Sequence, residues 1–197
     1  MPKVLPDYQQ EARNRIIETA VETFSEIGFH QATMEDIAKR LGVSKAAIYS
    51  YFKNKEELID AIGEATLHNL KEELDSLFKG RWSTDSFLDW AMSLIEMKIE
   101  EIKKHSSLHL EVLIEASRNV SLRRMLRENI AKAIIVVADL LEEEKRKSCI
   151  RQELNTRPLA LGLIALFFGL RQILLTGIGD AEVSQAWREL MKAVARS

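Results

Sequence analysis

The chain has 197 residues, of which 46% are hydrophobic and 29% charged, with a formal net charge of -2. That balance excludes a disordered chain, and the length is enough to bury a core without a metal or disulfide staple. The single cysteine, Cys149, excludes an intrachain disulfide framework and a multi-cysteine zinc site.

Only Pro2, Pro6 and Pro158 break the proline silence, so residues 7–157 lack the strongest helix breaker. Apolar spacing is helical nearly throughout, and the pattern predicts an all-α chain of roughly nine helices. Met1 to Gln10 is polar and lacks the apolar segment of a secretory signal. The longest uncharged apolar run, Leu159 to Leu170, is too short for the ~20 residues that span a bilayer. A soluble cytoplasmic protein is expected.

The first helix is expected near residues 9–27, with Ile16, Ala20, Phe24 and Ile27 on one face beside Ile17 and Val21. Gly28 stands where a left-handed residue usually ends a helix. Thr33 and Asp36 form the pattern of a capping box opening a second helix. Its inner face is Ile37, Ala38 and Leu41. Gly42-Val43 predicts a tight turn, and Ser44 a cap for a short third helix over 45–51. A long fourth helix is expected from about Lys55 to Gly80. Further helices are expected near 84–104, 107–117, 120–146, 156–176 and 181–196. The connectors between them are Gly80 to Ser83, His105 to Ser107, Asn119, Ser148 to Asn155, and Gly177 to Asp180.

Residues 33–52 read TMEDIAKRLGVSKAAIYSYF: helix, glycine-containing turn, helix. A helix-turn-helix needs a rigid apolar junction, so that one helix props the other into the major groove. Ile37, Leu41, Val43, Ile48 and Phe52 supply such a junction. The outer face of the second helix then offers Ser44, Lys45, Ala46, Ala47, Tyr49, Ser50 and Tyr51. Small side chains at 46 and 47 permit close approach, while hydroxyls and the lysine suit phosphates or base edges. Five basic residues and no acidic one fall between Ile37 and Lys55, a local basic patch on a mildly acidic chain.

The order A-x-E-x-F-x-x-x-G-F near residues 20–29, followed by T-x-x-x-I-A-x-x-x-G-V-S-x-x-x-I-Y-x-Y-F-x-x-K-E-x-L, resembles the TetR family of transcriptional regulators. The resemblance is close over residues 9–62 and elsewhere extends to length and helical layout. It implies a DNA-binding domain over 9–69, with the helix-turn-helix at 33–52, and an effector-binding and dimerisation domain over 70–197. It implies phosphate contacts from Thr33, from His30 or Gln31, and from Tyr49, Tyr51 and Lys55. Lys45, Ala46 and Ser50 would face bases. Many members have glycine where this chain has Ala46 and histidine where it has Ser50, so no operator sequence is carried over.

The same resemblance implies an effector pocket among the fourth to seventh helices and a two-fold dimer built by the last two. The helix at 158–176 is apolar almost all round and must be covered on more than one side. Leu163, Leu166, Phe167, Leu170, Trp187, Leu190 and Val194 are the expected interface residues, with Gly162, Ala165 and Gly169 a small stripe allowing close approach. Trp90, Met97, His109, Leu113, Arg118 and Met125 are candidate pocket residues, although apolar residues at helical spacing are more often plain core.

The partners expected are therefore a palindromic operator in double-stranded DNA, a lipophilic or amphipathic small molecule, and a second copy of the chain. A repressor is the leading reading. A fatty-acyl sensor and an activator are alternatives within the family, and a non-DNA helical interaction protein is the alternative outside it. No phosphate loop, nucleophile elbow or zinc-protease helix is present, so no enzyme is expected. No cofactor and no metal are expected: His105 and His109 are four apart without an evident third ligand. Cys149 lies among Arg146, Lys147 and Arg151, which would favour a thiolate, yet an incidental connector cysteine is the plainer reading.

Overall fold

The computed structural model describes residues 6–77, 89, 91–93 and 99–195. Among them there is no strand, only an isolated antiparallel bridge between Ile150 and Ala195. Eight helices have defined bounds: α1 (Pro6–Ile27), α2 (Met34–Leu41), α3 (Lys45–Tyr49), α4 (Lys55–Leu77), α5 (Ile99–Arg118), α6 (Val120–Arg146), α7 (Thr156–Leu174) and α8 (Asp180–Val194). Asp89 and residues 91–93 are helical as well. The chain is all-α.

Local chemistry sets the early boundaries. Gly28 has φ of 86° and Gly42 has φ of 73°, a left-handed conformation that costs glycine little. Thr33 caps α2 by accepting from the Asp36 amide, while Asp36 accepts from the Thr33 amide at 2.9 Å. Ser44 caps α3 by accepting from the Ala47 amide at 3.2 Å.

One expected connector is absent. α5 runs unbroken through His105, Ser106 and Ser107. No glycine or proline interrupts it, and the buried Ser106 hydroxyl donates to the Ile102 carbonyl one turn back at 2.5 Å. A serine satisfied in this way sits inside a helix without breaking it.

The chain forms two compact units. The first joins residues 1–66 with 107–129, and the second joins 67–106 with 130–197. Residues 107–129 lie in the same compact unit as the helix-turn-helix. The first core packs Phe24, Ile37, Ile48, Phe52 and Leu58 against Leu108, Val112, Ala116 and Leu122. Asn129 closes the same unit: its amide donates to Asp60 at 3.1 Å, beside Gly63, where a side chain would collide with it.

In the second unit, α7 and α8 pack around Trp187. Its ring meets Phe167 edge-on at 6.2 Å, and its indole N–H donates to the Ala91 carbonyl at 2.6 Å. This corrects the expected interface set. Leu170, Trp187 and Val194 are buried within their own chain, and Leu163, Leu166 and Phe167 are half-buried against the same core. Only Leu190 of that set is exposed. The outward face of α7 is instead Leu161, Gly162, Ala165, Gly169 and Ile173. The reason is phase: an all-apolar helix leaves the pattern silent about which stripe turns inward. Among the described residues, α7 alone is long and apolar enough to cross a bilayer. The run that matters by length and composition thus extends beyond Leu159 to Leu170.

Candidate nucleic-acid interface

The α2–α3 pair is anchored from behind. Ile37 and Ile48 are completely buried, and Ala38 is nearly so, which lets the two helices approach closely. Arg40 ties α2 to α1 with bonds to Glu26 at 2.5 Å and Glu22 at 3.0 Å. The hydrogen bond to Glu26 is the main reason its guanidinium is held even more firmly in the charged form. Arg13 of α1 lies over the Phe52 ring at 5.1 Å. Such fixation is what a reading helix requires.

The opposite face of α3 is open. Ser44, Lys45, Ala46, Tyr49 and Ser50 are all exposed, as are Gln31 and Thr33 beside them. Tyr51 differs: it is half-buried and packs on the first core. Ser50 donates its hydroxyl to the Ala47 carbonyl at 2.6 Å, and Thr33 donates to Asp36 at 2.6 Å. Both keep oxygen lone pairs with which to accept.

The lysines are not equivalent. Lys45 pairs with Glu35 of α2 and lies over the Tyr49 ring at 5.8 Å, all on the exposed face. Lys53 is exposed and weakly paired with Glu57 at 3.6 Å. Lys55 is the residue that departs from expectation. Its ammonium donates to the Phe29 carbonyl at 2.7 Å and the His30 carbonyl at 3.1 Å, and it lies 4.8 Å from the Phe29 ring. Here Lys55 closes a turn instead of standing free toward solvent.

Sequence reasoning missed two participants. Glu35 places a carboxylate on the reading face, where the basic count between Ile37 and Lys55 did not reach. Glu111 accepts from the Phe29 amide at 2.6 Å from 82 residues away, a distance no local pattern reveals.

The candidate effector residues that the structure describes differ in exposure. Trp90 and Met97 lie outside the described residues. Leu113 and Arg118 are exposed, His109 is half-buried, and Met125 packs against the first core. On α5 the inward stripe is Leu108, Val112 and Ala116, which turns Leu113 outward. Among the described residues no three His, Cys, Asp or Glu side chains stand close enough to hold a metal. Cys149 is buried, and burial first, then a hydrogen bond with Glu144, pushes its thiol up. The neighbouring cations therefore do not produce a reactive thiolate.

Residues 16–62 match the family described as bacterial regulatory proteins, tetR family. The chain is 29% identical over 184 residues to the HTH-type transcriptional regulator UidR of Escherichia coli K12, covering 91% of this chain and 86% of that protein. It is 27% identical over 165 residues to the fatty acid metabolism regulator protein of Bacillus subtilis, covering 80% and 77%. Its fold superposes on the fatty acid degradation regulator FadR of Bacillus halodurans with a TM-score of 0.75. That match has 22% identity and covers 90% of this chain and 96% of the other.

Proposed function

Because this chain belongs to the TetR family of DNA-binding transcriptional regulators, which are not enzymes, we propose that it is a homodimeric, ligand-responsive repressor. It grips a palindromic operator and is released by a small lipophilic or amphipathic effector. The observation that carries the proposal is the two-sided α3: Ile48 is locked into the core while Ser44, Lys45, Ala46, Tyr49 and Ser50 face outward. Lys45, Ala46 and Ser50 read base edges, Ser44 and Tyr49 donate to phosphates, and Thr33 does so only where its hydroxyl turns away from Asp36, with Tyr51 supporting from the core side.

Dimerisation uses the outward stripe of α7, Leu161, Gly162, Ala165, Gly169 and Ile173, with Leu190 of α8. Small residues on this stripe allow close helix approach, and a contiguous apolar face on a regulator is best covered by its own copy. A palindromic operator read in successive major grooves requires the two reading helices to stand about 34–36 Å apart. The DNA-binding domain proposed is the whole first unit, with residues 107–129 included. The cytoplasm is where such a protein meets its operator.

The effector acts only through differential affinity. A tenfold loss of DNA binding requires ~1.4 kcal/mol of preference for the non-binding form. A fatty-acyl effector is the second reading. It is favoured by the name of the Bacillus subtilis relative and by the apolar character of the second core.

The test starts from selection of bound duplexes out of a random-sequence pool, with sedimentation analysis of the free protein. Recovery of a palindrome by a dimer is the expected result, and a monomer recovering an unpaired half-site would overturn it. Titration of the selected complex with oleoyl-coenzyme A and with tetraphenylphosphonium then separates the acyl reading from a lipophilic-cation reading.

A further inference from the structure

The turn between α1 and α2 is held at one residue, Phe29, through the two peptide groups that flank it. The Phe29 N–H donates to Glu111 at 2.6 Å, and the Phe29 carbonyl accepts from Lys55 at 2.7 Å. Lys55 adds the His30 carbonyl at 3.1 Å and the face of the Phe29 ring at 4.8 Å. The ring itself is buried edge-on against Phe24 at 5.2 Å. Gly28 completes the arrangement. It has φ of 86°, and a side chain there would stand 3.1 Å from the Glu111 carboxylate.

We infer that Glu111 is a positioning residue for DNA binding: with Lys55 it clamps the backbone on both sides of Phe29 and thereby sets the turn from which α2 and α3 project. Several observations support this beyond the bonds themselves. Glu111 comes from α5, whose Leu108, Val112 and Ala116 are buried in the same core as Ile37 and Ile48. The carboxylate is therefore delivered by a rigid element. Both bonds are charge-assisted, which makes them the strong kind and sensitive to geometry. The turn runs directly into Thr33, whose capping box fixes the start of α2. Loosening the turn lets the reading face sample orientations that do not fit a groove, and ordering it again on DNA costs affinity. Lys55 then serves DNA binding through the protein backbone.

The inference rests on the DNA-binding reading of α3 and fails separately from it. The probe is a duplex selected by the unaltered full-length protein from a random pool, and a pool that yields no duplex overturns both. Glu111→Ala is expected to weaken binding by about tenfold, the order of one charge-assisted hydrogen bond. Glu111→Gln keeps a carbonyl acceptor for the Phe29 N–H and is expected to restore most of that loss. Glu111 touches no phosphate, so the dependence of affinity on salt keeps its slope in both variants.

A spectroscopic readout separates positioning from general stability. In the unaltered protein the Phe29 N–H, held by Glu111 at 2.6 Å, is protected from hydrogen exchange, and Glu111→Ala removes that protection while the Ile37 and Ile48 amides keep theirs. Unchanged affinity in Glu111→Ala, a changed salt slope, or a Phe29 amide whose exchange Glu111→Ala leaves unaltered would each overturn the inference.

Discussion

The α2–α3 pair and the α7–α8 pair are both helix pairs on a hydrophobic support, yet they are built by different means. α2 and α3 are bounded by side-chain caps, Thr33 and Ser44, and by the left-handed Gly42 between them. α7 and α8 begin at Asn155 and Gly179 with no side-chain cap hydrogen bond at all. What organises them is the division of apolar residues between an inward stripe around Trp187 and an outward stripe around Ala165. Caps act within one turn of chain, whereas the division of an apolar helix depends on everything that packs on it. The first pair holds its shape by local bonds, and the second by burial.

Two substitutions should break the second pair in opposite ways. Trp187→Ala removes a ring that is 3% exposed together with its bond to the Ala91 carbonyl. It is expected to cost about 3–5 kcal/mol in urea unfolding and to leave subunit affinity unchanged where the protein is folded. Ala165→Arg places a charge on the outward stripe. It is expected to yield folded monomers by sedimentation, with helical content preserved by circular dichroism and operator affinity lost with the second half-site. If Trp187→Ala instead dissociates the dimer without lowering stability, the assignment of inward and outward stripes is reversed.

That contrast also explains what could be read from the sequence. The limits of α2, the cap of α3 and the stops at Gly28 and Gly42 were legible because each depends on residues three or four apart. The helix-turn-helix, and the exposure of Ser44, Lys45, Ala46, Tyr49 and Ser50, followed from the same local signals, whereas the burial of Tyr51 did not. The orientation of Trp187 was not legible, because Leu163, Leu166, Phe167, Leu170 and the small stripe offer several equally apolar faces. The continuity of α5 through His105 to Ser107 was hidden because polar residues look like a connector until Ser106 is seen bonding to Ile102. Lys55 read as a phosphate contact because the sequence shows its charge and leaves unseen the two carbonyls that use it.

The first pair is more finely adjustable. Thr33→Ala removes one half of the capping box and is expected to cost about 1 kcal/mol. Unfolding measures that loss, and weaker protection of the Ile37 amide against exchange locates it in α2. No matching effect is expected from Asn155→Ala at the start of α7, where there is no cap bond to lose. Equal losses at both sites would remove the distinction between a capped pair and a packed pair.

The smallest effect belongs to pH. The Thr33 hydroxyl bond first, then the Thr33 amide, with help from the Lys39 charge, holds the Asp36 carboxyl below its ordinary value against a weak opposing desolvation. A carboxylate depressed in the folded state contributes its stability above the unfolded pKa and loses it as pH falls through the folded one. The loss therefore begins below about pH 4, the ordinary aspartate range. Amide exchange over the first turn of α2 should accelerate there, ahead of the middle of α7. Asp36→Asn keeps an acceptor for the Thr33 amide but cannot titrate, so it should flatten that response. If the acceleration persists in Asp36→Asn, the acid sensitivity of the head comes from another carboxylate, and the capping box is not what holds α2 in register.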